Sequence, residues 1–322
     1  MAVYTEVADE ELTKFANLYD LGEVLSCKGI AEGVENSNFL LSTETGSYIL
    51  TLYEKRVNPD DLPFFLGLLE HLNTHDIPCP KPVRAQDGNI LKKIAGKNAA
   101  VVSFLLGQWP RRIEAYHTCE LGHALAKMHT AGVDYDLTRD NALSVQSWRP
   151  LLQSCEGRAD EVISGITAEL MAELDQLEAE WPTHLPRGVI HADLFPDNVF
   201  FRGERLSGLI DFYFACNDIL AYDIAVCMNA WCFEPDGSFN VTKAKKLLNS
   251  YGQVRPLSDE EFNALPILAR GAAMRFLLTR LFDWLNTPPG ALVTPKNPKK
   301  YLQILRFHQG IKGPSAYGLD VK

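Results

Sequence analysis

Apolar positions recur along this chain in two rhythms, and the change from one to the other divides it. Up to residue 106 the apolar runs are short. Segments 23–27, 38–42, 48–53, 82–84, 90–94 and 99–104 read as strands, separated by turn formers such as Glu44-Thr45-Gly46. One helix precedes them and another interrupts them. Segment 9–19 carries Leu12, Phe15, Ala16 and Tyr19 at helical spacing with Asp9 as N-cap, and segment 60–73 carries a stripe of Leu62, Phe65, Leu66, Leu69 and Leu72. Leu105-Leu106-Gly107-Gln108 reads as a hinge, after which helical spacing dominates. Segments 120–130, 221–231, 241–251 and 299–308 are predicted helices, 158–181 is one long acidic helix or a pair, and another runs from the capping box Ser258-Asp259-Glu260-Glu261 to Trp284. From Gly310 onward the chain reads as a tail. The pattern predicts an α+β protein of two lobes, 1–106 with an antiparallel sheet and 107–322 mostly helical.

One stretch in the helical half breaks its rhythm. The apolar run Gly188-Val189-Ile190 delivers His191 and Asp193 to a tight loop, and Asn198 follows five residues after Asp193. Val199-Phe200-Phe201 and 206–210 then flank Arg202-Gly203-Glu204-Arg205 as a β-hairpin that ends in Asp211 and would fold it back beside Asn198. An Asn carbonyl and an Asp carboxylate are oxygen donors suited to Mg²⁺, which leaves Asp193 to meet a substrate hydroxyl. The bland alternative is a turn whose Asp and Asn side chains only cap backbone groups. His191, the hairpin and the strand-terminal Asp211, all in order, weigh against it.

This H-x-D-x-x-x-x-N…D pattern resembles the catalytic loop of protein kinases and of small-molecule kinases related to aminoglycoside phosphotransferases. The resemblance covers nearly the whole chain and implies a protein-kinase-like two-lobe fold. Finer features are similar to the homoserine kinases of that type. They are Glu32-Gly33-Val34-Glu35-Asn36-Ser37-Asn38-Phe39, Tyr48-Ile49-Leu50-Thr51-Leu52-Tyr53-Glu54, His191-Ala192-Asp193-Leu194-Phe195, Ile210 to Cys216 and Tyr222-Asp223-Ile224-Ala225. The narrower resemblance implies phosphorylation of L-homoserine by Mg-ATP, a step toward threonine. It implies Asp193 as acceptor of the hydroxyl proton, His191 as a loop-orienting imidazole rather than a general base, and Asn198 and Asp211 as Mg²⁺ ligands; Asp223, at a helix start, reads as an acid that braces the loop rather than a ligand. The connector with Gly29, Gly33, Glu35, Asn36, Ser37 and Asn38 would close over ATP phosphates. One departure stands out: such kinases place a Lys or Arg on the third strand, paired with a helix Glu. Here that strand position is Thr51, and the helix offers Phe64 or Phe65. Lys55 and Arg56 lie beyond the strand, Lys55 about 13 Å from Thr51 by strand rise.

Composition narrows the field further. The net charge of -10 and the absence of a basic run disfavour a nucleic-acid partner. No apolar run approaches membrane-spanning length, and the N-terminus lacks a signal-peptide pattern. Seven cysteines without a C-x-x-C pair fit reduced thiols in a cytoplasmic protein. His117, His123 and His129, six residues apart, do not share a helical face, so metal binding there is not expected.

A zwitterionic substrate needs an acceptor for its ammonium and a donor pair for its carboxylate. Tyr213, Asn217 and Asp218 follow Asp211 closely enough to line such a pocket, and Arg275 and Arg280 are the candidates for the carboxylate. Two other functions fit the loop: a kinase of the same fold acting on choline, hydroxylysine, methylthioribose or an aminoglycoside, and a non-catalytic nucleotide-binding pseudokinase. The pocket's acidity would separate the first, ATP turnover the second. Oligomeric state is not legible.

Overall fold

The computed structural model describes residues 5–30, 36–54, 57–155, 157–288 and 294–318. Their contacts divide the chain into two compact units, Met1–Gly107 with Ser207–Tyr213, and Gln108–Leu206 with Phe214–Lys322.

The first unit is built on a five-stranded antiparallel sheet of order β1-β2-β3-β5-β4. Its strands are β1 (Val24–Gly29), β2 (Ser37–Thr43), β3 (Gly46–Leu52), β4 (Lys92–Ile94) and β5 (Lys97–Ser103). Side chains alternate across the pleat. Phe39, Leu41, Leu50, Leu52, Ala99 and Val101 meet Leu12 and Phe15 of helix α1 (Asp9–Ala16) in one core. Helix α2 (Leu62–Thr74) is apolar on most sides and buries Phe64, Phe65, Leu68 and Leu72. The segment 207–213 belongs to this unit for visible reasons. Ser207 Oγ donates to the Leu106 carbonyl (2.8 Å), Leu209 N–H donates to the Pro78 carbonyl (2.7 Å), and a side chain at Gly208 would strike Leu105.

Several expected boundaries shift. Asp9 is the first helical residue of α1 and not its cap, a position taken by Ala8. Segment 82–84 gives no named strand and makes one bridge, Pro82 to Val102, because Pro80 and Pro82 lack the N–H groups a ladder needs. Helix α2 begins at Leu62, after a short turn capped by Asn58.

The second unit is helical around α9 (Asp259–Asn286), which opens with Ser258 and Glu261 capping each other's backbone as predicted. Packed near it are α4 (Val145–Gln153), α6 (Ile166–Glu180), α7 (Leu220–Trp231) and α10 (Lys299–Gln309), through Trp148, Leu174, Tyr222, Leu277 and Leu305. Gly271 is required here: a Cβ would lie 2.2 Å from the Trp181 ring. Helix α3 (Ala115–Ala131) crosses α8 (Val241–Val254) so closely that a Cβ on Gly122 would lie 2.2 Å from the Leu247 carbonyl oxygen. The segment 158–181 is two helices, α5 (Ala159–Val162) and α6, parted by Gly165 at φ 75°. The tail is structured, since Pro314–Tyr317 forms a helical turn that buries Tyr317 completely. Strands β6 (Arg187–Ile190) and β9 (Cys216–Ile219) pair antiparallel, and β7 (Val199–Arg202) and β8 (Arg205–Leu209) form the expected hairpin with Gly203 at φ 61°.

Among the described residues no helix is long and apolar enough to cross a membrane. All seven cysteines are thiols, five of them buried.

Candidate active site

Strand β6 ends at Ile190 and releases the loop that carries His191, Asp193 and Asn198. Ala192 adopts φ 64°, a conformation that L-residues avoid at a cost of about 1–2 kcal/mol. The loop is held there from both sides. Asp223, wholly buried at the start of α7, accepts the N–H of His191 (2.7 Å) and of Ala192 (2.9 Å). Arg275 donates through Nη1 to the Ala192 carbonyl at 2.5 Å, and Trp231 Nε1 donates to the Leu194 carbonyl at 2.7 Å. Within the loop, Asp193 N–H donates to His191 Nδ1 (3.3 Å), so the imidazole orients the segment carrying Asp193. Asn198 Nδ2 donates to the Asp193 carbonyl (2.8 Å) and to its Oδ2 (3.2 Å), which turns the Asn198 carbonyl oxygen away from Asp193.

Behind Asp223 runs a buried relay that sequence reasoning did not assemble. Burial alone would raise the Asp223 carboxyl; hydrogen bonds from His129 and from the loop backbone, with nearby imidazoles, outweigh it and hold the pKa below its ordinary value. A carboxylate only accepts, so His129 Nε2 donates to it (3.2 Å). His129 Nδ1 then accepts from Tyr251 Oη (2.8 Å), whose oxygen accepts from Arg255 Nη1 (3.2 Å). Arg255 is paired at 2.8 Å with Glu261, the capping glutamate of α9. From Arg255 through Tyr251 to His129 the donors point toward Asp223, while Arg255 also donates outward to Glu261. The one signal in sequence was His129 on the apolar side of α3, next to Met128 and four residues after Leu125.

Asp211 lies in the first unit, just past β8, and it too is a non-glycine residue with positive φ, 63°. Backbone strain of this kind concentrates at functional positions. Oxygen donors from Asn198 and Asp211 match the chemistry of Mg²⁺. Among the described residues no group of three or more His, Cys, Asp or Glu is placed to hold a metal ion.

Gly33 and Glu35 lie outside the described residues, as do Lys55 and Arg56. Gly29 pairs with Phe39 across β1 and β2. Asn36 Oδ1 accepts the Glu54 N–H (3.3 Å), and Ser37 Oγ donates to the Glu54 carboxylate (2.8 Å), which Lys97 also pairs at 2.8 Å. Thr51 donates its hydroxyl to Asn38 Oδ1 (2.8 Å) directly across the ladder. Where the helix acid was sought, the Phe64 and Phe65 rings meet edge to face, and Phe65 meets Tyr213, which in turn meets Tyr53 at 5.7 Å. Tyr213 is thereby packed within the first unit, with Oη 3.4 Å from that of Tyr53.

The remaining candidates separate clearly. Asn217 Oδ1 accepts the Arg139 N–H (2.9 Å), and Asp218 is buried between Asn141 Nδ2 (2.7 Å) and Arg187 (3.1 Å). Both stitch β9 to its surroundings. Arg275 is interior and committed to Ala192. Arg280 lies over the rings of Tyr301 and Phe195.

Known proteins resemble this chain in sequence and in fold. Residues 26–257 match the phosphotransferase enzyme family. The homoserine kinase of Rhodospirillum rubrum is 65% identical over 320 residues, covering 99% of this chain and 100% of its own. That of Paramagnetospirillum magneticum is 62% identical over 326 residues, covering 99% and 100%. Among solved structures, an amicoumacin kinase in complex with AMP-PNP, Ca²⁺ and Ami has a TM-score of 0.70 at 18% identity, covering 94% of this chain and 92% of its own. A spectinomycin phosphotransferase in complex with ADP and its antibiotic also scores 0.70, at 13% identity, covering 95% and 99%. These two share the fold; the full-length relatives fix the branch. The chain belongs to the phosphotransferase enzyme family and, within it, to the homoserine kinases.

Proposed function

We propose that the chain transfers the γ-phosphoryl group of ATP to the side-chain hydroxyl of L-homoserine, giving O-phospho-L-homoserine and ADP. The observation that carries this reading is the full-length identity of 65% to a curated homoserine kinase, with the Asp193 loop in place. Asp193 takes the hydroxyl proton as the oxygen attacks the γ-phosphorus and the bond to the ADP oxygen breaks. His191 and Asn198 hold the Asp193 carboxylate in register, and Asp223 with Arg275 fixes the strained backbone between them. Asn198 and Asp211 are the residues that would hold Mg²⁺, which when bound neutralises charge on the phosphates. The connector 29–38 and Thr51 belong to the nucleotide side, and a cytoplasmic location fits a reaction that draws on ATP.

A phosphorylation screen with Mg-ATP tests the reading. L-Homoserine should be turned over in clear preference to L-serine, L-threonine, choline and kanamycin. L-Serine is one methylene short, and misplacing the oxygen by about 1 Å costs on the order of 10²-fold. Faster turnover of choline or kanamycin would remove the homoserine reading and leave a kinase of another small alcohol. An ATP-inert protein would favour the pseudokinase.

A further inference from the structure

Among the described residues, the arginines of the second unit that are at least half-buried are, with one exception, matched to an acceptor. Arg255 and Arg270 face carboxylates at 2.8 and 2.7 Å, Arg149 two of them, and Arg275 the Ala192 carbonyl. The exception is Arg280. It is half-buried on α9, and among the described residues neither a carboxylate nor a hydrogen-bond acceptor meets its guanidinium. Two aromatic rings hold it instead, with Cζ 4.4 Å from the Tyr301 centroid and 5.9 Å from that of Phe195. Desolvating a guanidinium without an anion is costly, so such a site is stable in use only when an anion arrives.

Its surroundings say which anion. Phe195 is tied back to the catalytic loop by its N–H, which donates to the Asp193 carbonyl at 2.8 Å. Burial draws the Arg280 pKa down, and Tyr301, Asp193 and Asp197 draw it back, so the guanidinium lies within electrostatic reach of the acceptor carboxylate. Among the described residues the buried Tyr301 hydroxyl has no hydrogen-bond partner, and it feels the charges of both Arg280 and Asp193. Lys296 adds a second cation, 5.4 Å from the Phe195 centroid and 3.7 Å from Asp197. In a chain of net charge -10 this is a local positive corner beside the residue that receives the hydroxyl proton.

We propose that Arg280 binds the α-carboxylate of the acceptor substrate and thereby selects an amino acid over an amine. The proposal rests on the homoserine reading above and assigns a role within that same site. The planar fork of a guanidinium matches a carboxylate with two parallel N–H···O bonds, while the Tyr301 face fixes its plane. Arg275, the other candidate, shapes the loop from beneath.

The test uses the whole enzyme, two acceptors and two variants. 3-Aminopropan-1-ol is L-homoserine without its carboxylate and keeps the ammonium and hydroxyl at the same spacing. R280Q should lower kcat/KM for L-homoserine by about 10²-fold or more, since unmatched polar groups give strong rejection. Turnover of 3-aminopropan-1-ol and the KM for ATP should stay within about threefold, the scale of an altered contact outside the bound groups. R280K, which keeps charge but not the fork, should lie between. Calorimetric ATP binding checks that each variant is folded; should R280Q not fold, R280K decides alone. Equal losses on both acceptors, or a large rise in KM for ATP, would assign Arg280 to the nucleotide's phosphate and overturn the proposal. Unchanged selectivity in a wild type active on homoserine overturns it as well, whereas a wild type inactive on homoserine removes the functional reading first.

Discussion

Asn198 grips Asp193 twice with one amide group, at the backbone carbonyl (2.8 Å) and at Oδ2 (3.2 Å). The same planar group thereby turns its carbonyl oxygen away from Asp193, so under the proposed function one side chain would aim the hydroxyl acceptor and offer a metal donor. Asn198→Ala should remove both and cut kcat by about 10³-fold, several kcal/mol of barrier, with a nearly unchanged melting temperature. Asp211→Asn should do the same. Raised Mg²⁺ should partly restore Asn198→Ala. Wild-type rates in either variant would sink the assignment.

Asp193→Asn separates chemistry from binding. An amide still bonds to a hydroxyl but takes no proton, so kcat should fall far more than ATP affinity. Calorimetry decides: if ATP binding collapses, Asp193 belongs to the nucleotide.

That His191, Asp193 and Asn198 share one loop was readable because they lie within eight residues between two strand patterns. What held the turn was not. The brace comes from Asp223, His129, Tyr251 and Arg255, contacts between residues 94 and 122 positions apart for the two made by His129. Nor does an alanine announce positive φ; Ala192 is strained because Asp223 and Arg275 dictate it. Arg275 and Arg280 looked alike in sequence and differ through what each helical face meets.

Asp223→Ala should therefore be the costly change outside the reacting groups. It leaves two buried N–H groups and His129 without their acceptor, a loss of about 3 kcal/mol in stability. Activity should drop further than unfolding explains when assayed well below the transition. His129→Gln, which keeps a donor toward Asp223, should be milder. A chemical-denaturation series on the three proteins checks the order.

Thr51 stands where a phosphate-gripping lysine was sought, and its hydroxyl is engaged with Asn38. Thr51→Ala should change the KM for ATP by less than the equivalent of about 1 kcal/mol, the worth of one neutral hydrogen bond. Lys55→Ala and Arg56→Ala test whether either cation serves instead. A large rise in KM for ATP in one of them would name the grip.

In the fold, the strong periods were legible and the exceptions have local causes. The α9 capping box and the α2 stripe declared themselves. Segment 82–84 misled because its apolar residues sit among prolines. Helix α4 went unread since its nine residues include Pro150, a helix breaker in isolation that the Trp148 packing outweighs. The segment from Gly310 onward read as a tail, yet Tyr317 is drawn inside by His308.

That last pair gives a pH prediction. His308 is buried, with Nε2 donating to Asn229 Oδ1 (2.7 Å) and Nδ1 accepting from Tyr317 Oη (2.8 Å). Asn229 Nδ2 donates to the Ala269 carbonyl (2.9 Å), which fixes its oxygen toward His308 and makes Nε2 the donor of the ring. Burial, helped by the charge of Arg270, pushes the His308 pKa from 6.5 down to about 3. In the unfolded chain the ring titrates normally, so below pH 6.5 the unfolded state gains a proton that the folded state refuses. Stability from this residue is intact above that pH and falls as pH drops toward 3, by about 2 kcal/mol at pH 5. His117, whose pKa is also lowered, chiefly by burial, adds in the same direction. His308→Gln keeps a neutral donor and acceptor, so it should be less stable at pH 7 but lose less between pH 7 and pH 5. Urea midpoints at the two pH values measure this directly, and equal losses in wild type and variant would remove His308 as the cause.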